Sequence, residues 1–193
     1  MTSAVQPPDK VLVVGATGML GRPVVERLSA DGYGVRVLTR DPESARSLLG
    51  KGVEYVGGAV EDGASFGRAL EGCRAVHVSL KAGPQPGDPE RVEHQGTARV
   101  AEAAARAGLE RITYLSGCYV GSEHTRDSEA ETAKLGAERA IEASGVPFTI
   151  FKPTYFMETL PLHVQGPFGV VSAASLTRCT WSPRTTTPAC CRP

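Results

Sequence analysis

Between Lys10 and Phe151, short apolar runs alternate with longer stretches whose apolar residues recur every three or four positions. The runs Lys10–Val14, Val35–Thr39, Val53–Val56, Ala75–Leu80, Arg111–Ser116 and Phe148–Phe151 are short and mostly β-branched, which predicts strands. The stretch Met19–Ala30 sets Leu20, Val24, Val25 and Leu28 on one helical face, with Gly32 as its stop. Asp41-Pro42 opens a second helix with proline in the first turn, where a missing N–H costs little. A third covers Ser65–Leu70. Asp88-Pro89 opens an alanine-rich helix whose inward face is Val92, Gly96, Val100, Ala103, Ala104 and Ala107, and Gly108 ends it. Ser128-x-x-Glu131 reads as a capping box for a helix reaching about Ala143, with Ala130, Ala133, Ala137 and Ile141 inward. Strands and helices alternating at this rhythm predict an α/β fold, a parallel sheet covered on both faces. Right-handed crossovers make it doubly wound.

Composition narrows the picture. A length of 193 residues suits one domain, and 41% hydrophobic with 22% charged residues is globular. Lys+Arg and Asp+Glu both number 21, a balance that makes no case for nucleic acid or an acidic membrane as partner. The balance hides an asymmetry: every acid lies before Thr159, and only three arginines follow it. We therefore expect a domain over residues 10–160 and an irregular tail over 161–193, either disordered or an out-of-frame translation. The Arg/Thr/Pro/Cys bias of that tail favours the second origin. The start of the chain lacks a signal-peptide pattern, and no apolar run approaches the ~20 residues of a membrane span, so a cytoplasmic protein is expected. Cys73 and Cys118 stand alone, Cys179, Cys190 and Cys191 crowd the tail, and the four histidines show no ligand spacing. No metal site and no disulfide are expected.

The chemistry begins at Gly15-Ala16-Thr17-Gly18-Met19-Leu20-Gly21, directly between the first strand and the first helix. In that context a glycine triplet lets backbone N–H groups and a positive helix end meet a pyrophosphate. Gly15 makes the tight turn, Gly18 admits the ligand, and Gly21 allows close helix packing. A Rossmann dinucleotide site follows. At the end of the second strand a carboxylate would bond the ribose hydroxyls of NAD, but the sequence there is Leu38-Thr39-Arg40. An arginine forks onto a 2′-phosphate, which favours NADP(H) over NAD(H).

These residues, with Tyr114-Leu115-Ser116, Lys134-x-x-x-Glu138 and the stretch Gly145–Glu158, resemble the NmrA-like branch of the atypical short-chain dehydrogenases/reductases over about residues 10–160. That group includes NADPH-dependent reductases, quinone oxidoreductase-like enzymes and redox-sensing regulators. The resemblance extends the expected cofactor contacts to Ser79 and Leu80, Lys134 and Pro153. Where the family commonly reads Gly-Asp-Leu-x-Asp after the third strand, this chain reads Gly58-Ala59-Val60-Glu61-Asp62, and Lys152-Pro153 replaces Arg-Pro. The family also continues beyond this point, so the resemblance implies that most of the C-terminal substrate lobe is missing.

The wider superfamily often pairs Tyr with Lys four residues later, but the position four before Lys134 is Ala130. Lys134 is the catalytic candidate that remains, an ammonium expected to be partly desolvated among alanines, which favours the neutral amine. The bland alternative pairs it with Glu131 or Glu138 on its own helix. Ser116, at the end of the fifth strand, is placed to bond a substrate oxygen. The combined expectation is an NADP(H)-dependent oxidoreductase passing hydride to a small carbonyl or quinone-like acceptor. A dinucleotide sensor acting through a protein partner, or a truncated inactive product, is the alternative. Loss of the lobe would bare Phe151, Tyr155, Phe156 and Leu160 and invite self-association.

Overall fold

Six parallel strands in the order β3-β2-β1-β4-β5-β6 form the sheet of this computed structural model. It describes residues 9–122, 128–154 and 156, and the backbone of 164–165 and 168–169. In chain order the elements are β1 Lys10–Val14, α1 Gly21–Ala30, β2 Gly34–Thr39, α2 Pro42–Leu49, β3 Val53–Gly57, α3 Ser65–Leu70 and β4 Ala75–Val78. A π-helical stretch, Pro89–His94, then runs into α4 Gln95–Arg106, followed by β5 Arg111–Leu115, α5 Glu129–Ala143 and β6 Phe148–Phe151. The order reverses between β1 and β4, which is where a doubly wound sheet opens a crevice. A second unit, Tyr155–Pro193, contains a short antiparallel ribbon of β7 Val164–Gln165 and β8 Phe168–Gly169. The rest of the expected irregular tail lies outside the described residues, as do Tyr155 and Leu160.

Alternation along the strands sorts two cores. Leu12, Val14, Val76, Val78, Ile112 and Tyr114 pack against Phe66 and Leu70 of α3, Val100 and Ala104 of α4, and Ala137 and Ile141 of α5. On the opposite face Val13, Val35 and Val37 meet Ala16 and Val25. Burial of these aliphatic side chains, at about 25 cal/mol per Å² of apolar surface, is the main force holding helices to sheet.

Most expected boundaries hold within a residue or two, and the differences have local causes. The first helix begins at Gly21, so Met19 and Leu20 belong to the turn, and Met19 is exposed. Asp41 caps α2: its carboxylate accepts from the Ser44 amide at 3.0 Å and the Ser44 hydroxyl at 2.6 Å. Those bonds hold it below the usual carboxylate range. The capping box at Ser128 does not form. Ser128 is the N-cap residue but its side chain makes no cap bond, and one carboxylate oxygen of Glu131 is buried instead of reaching back. Ala107 falls just past the end of α4 and is exposed rather than inward. Gly32 and Gly108, at φ 86° and 66°, stop their helices as glycine does in left-handed backbone. Among the described residues no helix is long and apolar enough to cross a membrane.

Candidate functional site

The glycine turn owes its shape to how hard it is pressed against its neighbours. Gly15 has φ +86°, and a Cβ there would sit 2.1 Å from the Ser79 carbonyl oxygen at the exit of β4. A Cβ on Gly21 would sit 2.2 Å from the Gly15 carbonyl oxygen, so the first residue of α1 also has to be bare. Gly18 is different. Its Cβ direction meets only the Gly15 oxygen, at 3.3 Å, and the space beyond is open. The Gly18 amide bonds Gly15 O and the Arg22 amide bonds Gly18 O, which fixes the turn as a rigid step into the helix. No side chain caps α1, and its first turn carries no acid. Its positive dipole end therefore remains available to an anion.

Beside this turn the ends of β1 to β4 enclose a cleft of 340 Å³, at the lower end of the size range of ligand pockets. Val14, Gly15, Thr17, Gly18, Thr39, Arg40, Gly58–Glu61 and Ser79–Lys81 contribute to its lining, joined by Gly83, Asp88, Arg91 and Val92. Its charges divide into two groups. Arg91 is neutralised by Glu61 at 2.5 Å and Asp88 at 2.6 Å. Arg40 and Lys81 have no ion pair or hydrogen bond among the described residues, so the cleft retains uncompensated positive charge. Asp41, the carboxylate closest in sequence to Arg40, is occupied in capping α2. A bare glycine turn, an uncapped helix end and two unpaired cations fit the phosphates of a dinucleotide.

The structure thus brings Gly15, Thr17, Gly18, Arg40, Ser79 and Leu80 together in one cleft. Ala16 is buried beneath the turn, Met19 and Leu20 lie on its outer side, and Gly21 is buried at the start of α1. Ser116, Lys134 and Pro153 do not line the cleft. Pro153 lies just past β6, where its carbonyl accepts the Cys118 amide at 3.1 Å.

Ser116 and Lys134 instead belong to a set of polar contacts built on two buried carboxylates over β5 and α5. Lys134 Nζ lies 2.7 Å from Glu93, a carboxylate on the π-helical stretch that is only 4% exposed. The ammonium therefore has a buried counter-ion outside its own helix, neither of the two glutamates considered from local spacing. The other oxygen of Glu93 accepts the Ala82 amide at 2.9 Å. Ser116 donates to Glu138 at 2.5 Å, and Glu138, 5% exposed, also pairs with Lys152 at 2.8 Å. With its proton committed to Glu138, the Ser116 hydroxyl faces other groups as an acceptor. Tyr114 is buried between these acids. Its hydroxyl has no hydrogen-bond partner, and burial, with the nearby Glu93 and Glu138 charges, pushes its ionisation well above the usual range. His77, in the middle of β4, is pushed down to about 4 by burial, its Nδ1 lying 2.9 Å from the Thr113 hydroxyl.

Sequence reasoning did not place Glu93 at the site. Its one signal was a polar residue in the buried stripe Glu93, Thr97, Val100 and Ala104 of a helix. Lys81 was missed as well, since nothing local separates it from an ordinary surface lysine.

Comparison with known proteins agrees with this geometry. The model of the NAD(P)H-binding family matches residues 15–173. A (4-alkanoyl-5-oxo-2,5-dihydrofuran-3-yl)methyl phosphate reductase of Streptomyces griseus subsp. griseus is 40% identical over 147 residues, 76% of this chain and 48% of that protein. The photosystem II assembly factor Ycf39 of Cyanophora paradoxa is 30% identical over 151 residues, 78% of this chain and 46% of its own length. The chain thus spans about half the length of these curated relatives. Among solved structures, a short-chain dehydrogenase/reductase superfamily protein of Agrobacterium tumefaciens with bound NAD superposes with a TM-score of 0.63 at 28% identity, over 74% of this chain and 48% of that one. The glycine turn at the switch point and the match along most of the sequence have one reading: this chain belongs to the NAD(P)H-binding family.

Proposed function

We propose that the chain binds NADP(H) in the switch-point cleft and serves as the nucleotide-binding part of a reductase acting on a small carbonyl or quinone-like acceptor. The observation that carries the cofactor choice is Arg40, which lines the cleft at the end of β2 without an ion pair or hydrogen bond among the described residues, while the neighbouring carboxylate, Asp41, is spent on a helix cap. A guanidinium left free at that strand end suits a 2′-phosphate, and the ribose hydroxyls of NAD meet no carboxylate there. Lys81, on the opposite wall, adds a second unpaired cation. The reductase reading is supported by the 40% identity to the Streptomyces griseus reductase.

When bound, the nicotinamide supplies the hydride. The chain's own residues supply the rest. The Gly15–Gly21 turn fixes the pyrophosphate, and Arg40 and Lys81 neutralise the adenosine end. The Lys134 ammonium, held by Glu93, donates to the nicotinamide ribose or to the acceptor oxygen. Ser116, its hydroxyl donating to Glu138, accepts. Thermal melts with NADPH, NADH and neither test the assignment. A transition raised several degrees by NADPH and hardly by NADH is expected, and equal shifts would remove the 2′-phosphate argument.

A second reading has its own observation. Ala130 occupies the place where many relatives in the wider superfamily carry the acid–base tyrosine, and the Ser116 proton is committed to Glu138. A module that binds the dinucleotide without turning it over, and signals through a protein partner, suits both. Steady oxidation of NADPH by quinones or aldehydes would support the reductase, and tight binding without turnover the sensor. The cytoplasm is the compartment proposed for either role.

A further inference from the structure

Glu93 is the most deeply buried carboxylate in the described structure, and the reductase and sensor readings leave it without a task of its own. Burying a carboxylate is costly unless every lone pair is answered. Here one oxygen accepts a hydrogen bond and the other, without a hydrogen-bond partner of its own, meets an ion pair, in different directions. One accepts the Ala82 amide, in the loop whose neighbours Leu80, Lys81 and Gly83 form a wall of the cleft. The other lies against Lys134 of α5.

The local backbone is built to make this reach. The stretch Pro89–His94 is π-helical, with the Gln95 amide bonded to the Glu90 carbonyl five residues back. Such a bulge shifts the register of the helix and is found disproportionately at functional sites. Two glycines let the neighbours close in. A Cβ on Gly136 of α5 would sit 2.8 Å from the His94 ring, and one on Gly96 would sit 2.9 Å from Val60 and 3.5 Å from Leu80. The π-helical stretch is thus wedged between α5 and the cleft wall, with Glu93 spanning the gap.

We infer that Glu93 is a positioning residue that ties the wall of the dinucleotide cleft to Lys134, so that the adenosine half and the nicotinamide half of one ligand meet a single rigid unit. This rests on the dinucleotide reading given above. The two bonds of Glu93 have separable jobs. The Ala82 bond holds the loop beside the adenosine and phosphate half. The Lys134 pair holds the ammonium at the nicotinamide half. Glu93→Gln keeps an acceptor for Ala82 and gives up the charge that fixes Lys134.

The test is a binding titration of two probes on the full chain. NADPH spans both halves, whereas adenosine 2′,5′-bisphosphate carries the 2′-phosphate and the adenosine but no nicotinamide ribose. With Glu93→Gln, NADPH should bind about tenfold more weakly, the scale of one lost charge-assisted hydrogen bond, while the bisphosphate stays within about twofold. Lys134→Gln should give the same split from the other partner, and serves if Glu93→Gln does not melt cooperatively. A merely structural role would weaken both probes together. Equal losses for the two probes, or no loss for either, would overturn the inference while wild-type binding leaves the dinucleotide reading standing. Wild-type chain that binds neither probe would overturn the reading and the inference with it.

Discussion

The two ends of the same sheet solve the problem of a polar site by opposite means. Around β1 and β4 the site is made of absence: no side chain at Gly15, Gly18 and Gly21, no cap on α1, and no ion pair or hydrogen bond for Arg40 among the described residues. Around β5 and β6 it is made of pairs, Lys134 with Glu93 from an earlier helix and Lys152 with Glu138 of the preceding one. The first arrangement leaves a positive helix end and positive charge for an incoming anion. The second spends its charges internally and holds the groups at its edge in fixed orientations. On the proposed reading, a ligand would be gripped at one end and positioned at the other.

The largest effect should come from filling the first end. Gly15→Ala places a methyl group 2.1 Å from the Ser79 oxygen in left-handed backbone, and should cost about 4 kcal/mol or more in urea unfolding. Gly67→Ala, in α3 with nothing within 4 Å of its Cβ, is the control and should stabilise by about 0.5–1 kcal/mol. If the two substitutions cost the same, close approach is not what fixes the turn.

Breaking a pair at the second end comes next. Lys134→Met leaves the buried Glu93 charge without its counter-ion and should cost about 3–4 kcal/mol. Adding Glu93→Leu to that variant removes the stranded charge and should recover most of the loss. A double variant no better than the single one would mean that the pair is not a unit.

Between the two ends, His77 makes the sheet sensitive to acid. Its folded-state value of about 4 lies below the ordinary 6.5, so the unfolded chain binds a proton that the folded chain refuses. Stability from this residue is present above pH 6.5 and is lost as pH falls from 6.5 towards 4, by about 3 kcal/mol in all. His77→Gln should flatten that part of the urea-stability profile, and an unchanged slope would contradict the assignment.

The smallest change to the protein, Arg40→Ala, sharpens the comparison most finely. It should leave stability within about 0.5 kcal/mol, because the side chain is exposed and makes no hydrogen bond or ion pair among the described residues. It should weaken NADPH about tenfold and NADH hardly at all, as read by titration. Self-association is a separate expectation. Phe148 and Phe151 are both more than 40% exposed on β6, the edge strand, and sedimentation should show dimers or larger species. A monodisperse monomer would contradict it.

What the sequence disclosed follows the same division. The glycine turn was legible because its physics is local: three bare positions between a strand and a helix allow few other uses. The parallel, doubly wound sheet followed from the alternation of runs, and Arg40 from its place at the end of β2. The capping box at Ser128 failed because a four-residue pattern does not say whether Glu131 turns inward. Lys134 was legible as a residue and as half of a pair, but not with the right partner, because its counter-ion comes from a π-helical stretch that only tertiary packing brings to α5. Ser116 read as a hydroxyl open to a substrate oxygen, but it donates to Glu138, a buried acid one helix away. Local backbone chemistry can be read along the chain, whereas charge partners depend on the fold that joins them.

The central claim is that a dinucleotide sits at the β1–β4 switch point. Backbone-amide NMR of the chain titrated with NADPH tests it most directly. The account predicts shifts concentrated at Gly15–Gly21, Arg40 and Ser79–Gly83, with smaller ones at Glu93 and Lys134. Shifts confined to other surfaces, or none at saturating NADPH, would contradict it.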